Sequence, residues 1–347
     1  MASLDSICIL RLSAIGDTCN AVAVVQAIQA RHSTARITWV IGKAEATLLQ
    51  GLPGVELVVF DKKAGFSAYR KLRRQLAGRT FDALLLMQLA LRANLVSLCI
   101  SAKRRIGYDR ARSKELHSLF INERIQPAQK PHVLDTFRQF SSALDVPLAP
   151  PCWHIPVARD DESWATSQLD ESRQRGLVIV PAASAAERNW LPERYAAVAD
   201  YAYNSGFAVY LCGGPGATEV ALAQAVASHC KTPVRNLVGQ STLKQLFALI
   251  KQADMVIAPD TGPLHMAVAA GTPVIGLYAH SNPARTGPYG QQQYVADAYT
   301  PLLLEKLGAK AAQAPWGLRL KGDELMTHIS TKQVCSLFEQ VKAENNL

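Results

Sequence analysis

The feature that most constrains this chain is a rhythm in which short, continuously apolar runs alternate with segments of helical spacing. The series occurs twice. In the first half the runs are "SICILRL" (6–12), "ITWVIG" (37–42), "ELVVFD" (56–61), "DALLLM" (82–87) and "RRIGY" (104–108), with helical spacing over 20–31, 66–78 and 91–101. In the second half they are "GLVIVPA" (176–182), "AVYLCGG" (208–214), "VRNLVG" (234–239), "MVIAP" (255–259) and "PVIGLY" (273–278), with helices fitting at 192–204, 216–229, 242–253 and 263–270. Alternation of this kind predicts βαβ units and parallel sheets whose strands are covered by helices. Around 146–160 a Pro-rich stretch, "VPLAPPCWHIPVARDD", breaks the pattern and reads as a linker. The 347 residues also exceed the ~250–300 at which a single core stops growing. The expected fold is therefore α/β, with two doubly wound, Rossmann-like parallel-sheet domains at 1–155 and 156–330. A final amphipathic helix within 331–347 is free to pack back on the N-terminal domain. Tandem domains of this kind bind ligand in the cleft between them, at the carboxyl ends of the strands.

Composition removes several function classes. At 49% hydrophobic and 19% charged residues the chain reads as globular. The most apolar stretch, "ALLLMQLALRANLVSLCISA" (83–102), contains Gln88, Arg92 and Asn94. A spanning helix wants ~20 predominantly apolar residues, so a strand followed by an amphipathic helix is expected instead. The start "MASLDSICILRL" lacks the basic region and cleavage site of a signal peptide. Seven cysteines are scattered without a C-x-x-C pair, which suggests reduced thiols in the cytoplasm and gives no metal-ligand spacing. The net charge of +9 is unevenly placed: residues 61–130 carry 16 Lys/Arg against 5 Asp/Glu. That excess of 11 suggests a polyanionic partner.

Four turns could carry chemistry. In "LRLSAIGDTCNA" (10–21), Gly16 and Asp17 lie where an apolar run becomes a helix. A carboxylate there can be a plain helix-start residue or a general base toward a hydroxyl nucleophile. In "MVIAPDTGPLHMAVAAGTPVIGLYA" (255–279), a strand leads into Asp260, Thr261 and Gly262, and Pro263 suits a first helical turn. Free amides at such a helix start, with His265 beside them, make an anion site suited to a diphosphate. A capped helix with a structural histidine is the alternative. In "VIVPAASAAERNWLPERYA" (178–196), Ser184 and Arg188 sit in a loop where an arginine could clamp that diphosphate or lie on the surface. In "LCGGPGATE" (211–219), Gly213, Gly214 and Gly216 permit close backbone approach, and Glu219 could accept hydrogen bonds from a ribose. No G-x-G-x-x-G follows the first strand and no G-x-x-x-x-G-K-[ST] is present, which disfavours dehydrogenase and ATPase chemistry. The single Asp-Thr-Gly lies in a strand-to-helix turn, a poor fit to an aspartic protease.

Together, "LRLSAIGD", "AERNWLPERY" and "PDTGPLHMAVAAGTPVIGLYAHSNPARTGPYG" resemble the heptosyltransferases that build the inner core of lipopolysaccharide, inverting glycosyltransferases of the GT-B fold. The opening "CILRLSAIGDTCNAVAVVQ" looks most like the variants that add the first heptose to a phosphorylated Kdo. The resemblance implies that Asp17 is the catalytic base. It places donor sugar and diphosphate at Asp260, Thr261, Gly262 and His265, with Ser184 and Arg188 in the diphosphate loop and Gly214 and Glu219 near the ribose. Arg188 stands where the family more often has lysine, which keeps the charge and changes the geometry. The implied donor is ADP-L-glycero-D-manno-heptose, with no tightly bound cofactor and no metal. The implied acceptor is Kdo–lipid A, reached by a cytoplasmic enzyme held peripherally at the inner-leaflet surface. Lys103, Arg104, Arg105, Arg110, Arg112 and Lys114 are then the expected grip on this polyanionic acceptor. The alternatives are a related transferase adding a later heptose or another sugar, and a non-catalytic nucleotide-sugar or nucleic-acid-binding protein. The basic segment lacks the interleaved aromatics of a stacking platform, which speaks against nucleic acid.

Overall fold

The structure is a computed structural model that describes residues 4–169, 172 and 175–347. It divides into two compact units, Met1–Pro156 and Val157–Leu347, and their boundary falls in the Pro-rich stretch.

The first unit has strands β1 (Ser6–Leu10), β2 (Arg36–Gly42), β3 (Val55–Phe60), β4 (Thr80–Leu86), β5 (Ser101–Gly107) and β6 (Glu123–Arg124). They form a parallel sheet in the order β3-β2-β1-β4-β5-β6. Its helices are α1 (Ile15–Arg31), α2 (Lys43–Leu49), α3 (Phe66–Gln75), α4 (Leu91–Ser97) and α5 (Val133–Ser142). The second unit has β7 (Arg175–Ile179), β8 (Phe207–Leu211), β9 (Arg235–Asn236), β10 (Met255–Pro259), β11 (Val274–Tyr278) and β12 (Val295–Asp297). Their order is β12-β11-β10-β7-β8-β9. Its helices are α6 (Arg159–Gln168), α7 (Pro192–Asn204), α8 (Ala217–His229), α9 (Leu243–Gln252), α10 (Gly262–Ala270), α11 (Pro283–Thr286), α12 (Tyr299–Leu307) and α13 (Thr331–Asn345). The two sheets share one topology. In each, the strand order reverses beside the first strand, between β1 and β4 and between β7 and β10.

Sequence explains the order of the strands. The central strands β8, β10 and β11 are buried at every position, as their unbroken apolar runs require. Edge strand β3 alternates between buried and partly exposed residues, which fits a strand covered less completely. The apolar stretch at 83–102 is divided between β4 and α4, and no helix among the described residues is long and apolar enough to cross a membrane. All seven cysteines are free, and burial pushes the Cys19 and Cys212 thiols up to about 12.

Two elements differ in extent from the expected runs. Helix α1 begins at Ile15, at the turn where Asp17 was expected to open it, and so extends the 20–31 spacing toward the N-terminus, with Thr18 and Asn20 buried inside it. Nine of the strand runs place a regular strand of several residues, but "VRNLVG" contributes only the two-residue β9. The C-terminal helix α13 is part of the second unit. Val334, Phe338 and Val341 of α13 belong to the second unit's core, where Phe338 meets Phe207 edge-on at 5.0 Å between ring centroids.

Candidate active site

In the first unit the site is built at the switch point. After β1 the chain is pinned by Gln88, which follows β4: its Oε1 accepts from the Leu12 amide at 2.7 Å and its Nε2 donates to Ser13 Oγ at 3.2 Å. Gly42, at the end of β2, passes so close that a Cβ there would lie 2.2 Å from the Leu12 carbonyl oxygen. Ala14 then starts α1 without any side-chain cap. Asp17 lies in the first turn, where the helix dipole favours a negative charge. Its carboxylate does not cap the helix. Oδ2 accepts from Nη2 of Arg11, while Oδ1 has no hydrogen-bond partner among the described residues.

The guanidinium of Arg11 is held from several sides. Nη1 donates to the Met87 carbonyl across the switch point, and the group lies 5.1 Å from the Phe137 ring centroid. The Arg11 carbonyl accepts from Trp39 Nε1 at 3.1 Å. The arginine side chain is 9% exposed against 34% for Asp17. A fixed cation therefore orients a carboxylate whose second oxygen faces outward.

The second unit repeats the device with the roles exchanged. Beyond β7, Asn189 Oδ1 accepts from the Ala183 amide at 2.7 Å and shapes the loop that carries Ser184 and Arg188. Arg188 donates Nη2 to Ser184 Oγ at 2.8 Å and Nη1 to the Asp260 carbonyl across the second switch point. The Asp260 carboxylate lies 3.7 Å from Arg188 Nη1 and 4.0 Å from His265 Nε2. Ser281, just past β11, donates to its Oδ2 at 2.6 Å. Asp260 is 14% exposed and Arg188 18%. Thr261 begins α10 with no side-chain cap, and Pro263 lies in the first turn. The buried His280 has its pKa lowered by burial, then by the charges of Arg188 and Arg319. A guanidinium beside an uncapped helix start is the arrangement that binds an anion. Among the described residues no cluster of His, Cys, Asp and Glu is placed to hold a metal.

The other expected residues separate. Glu219 is committed to its own backbone: Oε1 accepts from the Gly214 amide at 3.2 Å and Oε2 from the Gly216 amide at 3.3 Å, which caps α8. In this way Glu219 shapes the glycine loop on which it was expected to meet a ribose. Four of the six expected acceptor cations have partners within the first unit. Lys103 pairs with Asp82 at 2.8 Å, and Asp82 takes the Asp5 and Ser6 amides at the start of β1, the end of the sheet opposite Asp17. Lys103 and these amides hold the Asp82 carboxyl down at about 2. Arg104 forms a fork with Glu123 at 2.9 and 2.7 Å. Arg105 spends its donors on Phe120, Ile100 and Ser97, and Arg112 is tied to Asp109, Gln126 and Gln139. Arg110 and Lys114 are exposed on the loop after β5.

Reading the sequence missed Arg11, Gln88, His280 and Ser281. Arg11 offered a signal, a cation inside an otherwise apolar run. The other three follow strand ends in the same way as Asp17 and Asp260, and a systematic look at the residues just past β4 and β11 finds them.

Comparison with known proteins agrees with this architecture. The model of glycosyltransferase family 9 (heptosyltransferase) matches residues 69–303. Lipopolysaccharide core heptosyltransferase OpsX of Haemophilus influenzae is 43% identical over 329 residues, which cover 95% of this chain and 94% of that protein. A glycosyltransferase of family 9 from Veillonella parvula superposes with a TM-score of 0.80 at 22% identity, over 99% of both chains. Escherichia coli heptosyltransferase WaaC with ADP-2-deoxy-2-fluoro heptose superposes with a TM-score of 0.73 at 19% identity, over 96% of this chain and 99% of that one. At these identities the two solved structures speak for the fold.

Proposed function

The chain belongs to glycosyltransferase family 9 and is a heptosyltransferase of lipopolysaccharide core biosynthesis; we propose that it transfers L-glycero-D-manno-heptose from ADP-heptose to the Kdo of Kdo–lipid A, with inversion. The observation that carries this reading is the Asp17 carboxylate, oriented through one oxygen by Arg11 and open at the other. The acceptor hydroxyl gives its proton to Asp17 Oδ1 as its oxygen bonds to the anomeric carbon. The bond from that carbon to the diphosphate breaks, and ADP leaves with the electron pair. A single displacement inverts the anomeric centre. Arg188 and the first amides of α10 take up the charge that develops on the diphosphate. Asp260 does not meet the substrate as a base: it positions Arg188 and His265. The donor assignment draws support from WaaC, a protein of the same fold solved with an ADP-heptose analogue. The acceptor is lipid-anchored, so the enzyme works at the cytoplasmic surface of the inner membrane.

The test is ADP release from ADP-heptose with three acceptors: Kdo–lipid A, its phosphorylated-Kdo form, and a core already carrying one heptose. The expected result is turnover with the first two and faster turnover with the phosphorylated form. Turnover with the heptosylated core alone would assign a later heptose, and no ADP release with any acceptor would sink the reading.

A further inference from the structure

We propose that the face of the first unit formed by α3, α4 and the loop after β5 docks on an anionic phospholipid surface. This rests on the reading above only in that the acceptor is a lipid; the docking itself is testable without any acceptor.

The face is continuous. Ala68, Leu72 and Leu76 of the α3 segment and Ala93, Val96 and Ile100 of the α4 segment share one core cluster over the sheet. Cys99, just past α4, reaches the Tyr69 carbonyl of α3 at 3.8 Å with its Sγ, so the two segments touch there. Asn94 Nδ2 donates to the Glu115 carbonyl at 2.8 Å, and the Glu115 carboxylate accepts from the Leu91 amide, so the loop is fastened to α4.

What this face turns outward is unusual for a water-facing surface. Leu91, Leu95 and Leu98, at spacings of four and three residues, are 47%, 41% and 66% exposed. Leu116 and Leu119 are 66% and 76% exposed, and Phe66 is 88% exposed. Six of the ten exposed large apolar side chains among the described residues thus lie on one face of one unit. A concentration of this kind, rimmed by charge, marks an interaction surface.

The charge around it has one sign. From 62 to 79 the chain carries seven Lys/Arg and no Asp/Glu. Lys62, Lys63, Arg70, Arg73 and Arg74 are exposed there, and Lys114 is exposed on the loop. On α3, Phe66, Arg70 and Arg73 share a stripe by helical spacing. Basic residues surrounding protruding leucines match a bilayer, with anionic headgroups outside and acyl chains beneath. A nucleic acid would meet the cations and leave the leucines without a partner. The geometry also serves the lipid acceptor, because α4 and the loop follow the carboxyl ends of β4 and β5, the end of the sheet that carries Asp17.

The experiment is co-sedimentation of the full chain with vesicles of phosphatidylcholine, with and without phosphatidylglycerol. Wild type is expected to bind only the anionic vesicles, and more weakly as salt is raised. Arg70→Ala/Arg73→Ala should bind about thirtyfold more weakly, at about 1 kcal/mol per basic residue. Leu95→Glu/Leu98→Glu should lose binding. Both variants should keep the wild-type melting temperature and wild-type turnover of a deacylated, water-soluble acceptor. Binding by the variants equal to wild type would overturn the proposal, as would failure of the wild type to bind anionic vesicles. Light scattering adds a further check: a dimer dissolved by the leucine substitutions would assign the face to a second copy. Retention by an oligonucleotide in preference to vesicles would assign it to nucleic acid. Vesicle binding that behaves as expected, with no acceptor turned over, would leave the surface standing and remove the heptosyl reading.

Discussion

Each parallel sheet closes its switch point with an arginine that reaches across to a backbone carbonyl, Arg11 to Met87 and Arg188 to Asp260. Each arginine also faces an aspartate, but the two pairs are held in opposite senses. In the first unit the guanidinium is the enclosed partner, 9% exposed, and the carboxylate of Asp17 is 34% exposed with one oxygen open. In the second unit Asp260 is the more enclosed, 14% against 18%, and its carboxylate is taken by Ser281 while Arg188 and His265 stand around it. One topology therefore presents an anion in one unit and a cation in the other. A glycosyl transfer from a nucleotide diphosphate needs both, a base for the acceptor and a counter-charge for the leaving group.

The comparison can be broken at each pair. The largest effect is expected for Asp17→Asn, which removes the proposed proton acceptor while keeping the shape. Turnover of ADP-heptose should fall by roughly 10²–10⁴-fold with the melting temperature unchanged. Asp260→Asn removes the anchor of Arg188 and His265. It should cost about 2 kcal/mol of stability, read by denaturant unfolding, and weaken ADP in a binding titration. Arg11→Met sharpens the first pair, because it leaves Asp17 in place without its guide. Activity should fall about tenfold in kcat with the KM for ADP-heptose unchanged, since several kcal/mol are not at stake when a positioned group is merely loosened. A KM rise with unchanged kcat would assign Arg11 to donor binding.

The smallest effect is a pH dependence of stability in the first unit. His117 is buried, its Nε2 accepts from the Tyr108 amide at 3.1 Å, and its Nδ1 faces Asn94 Oδ1 at 3.0 Å. The amide bond fixes the neutral ring with the proton on Nδ1. Burial, helped by the charge of Arg124, lowers its pKa from 6.5 to about 4. The unfolded chain binds the proton first, so stability is full above 6.5 and declines as pH falls toward 4. His117→Gln should flatten that decline in thermal melts over the same window.

The sheets were legible because parallel strands covered on both faces leave unbroken apolar runs, as at β8, β10 and β11. The missed elements carry no such mark. β6 and β12 are two and three residues long, and α1 is buried around much of its circumference, so its start shows no stripe. Asp17 and Asp260 were visible as acids at strand ends. Arg11 was absorbed into the run "LRL", since apolar pattern alone does not say that a cation at a strand end can be enclosed by a carbonyl and an aromatic ring. The basic segment shows the same limit. Its total charge is plain in the sequence, but direction is not: Arg104 and Arg105 on β5 turn inward to partners, while Arg70 and Arg73 on α3 turn outward.

The central claim is that the first unit's carboxylate reacts and the second unit's carboxylate holds. Calorimetric titration of ADP into Asp17→Asn and Asp260→Asn, alongside their turnover of ADP-heptose, tests it most directly. The predicted result is wild-type ADP affinity with lost turnover for Asp17→Asn, and weakened ADP affinity for Asp260→Asn. Weakened ADP binding by Asp17→Asn, with turnover preserved at saturating donor, would contradict it.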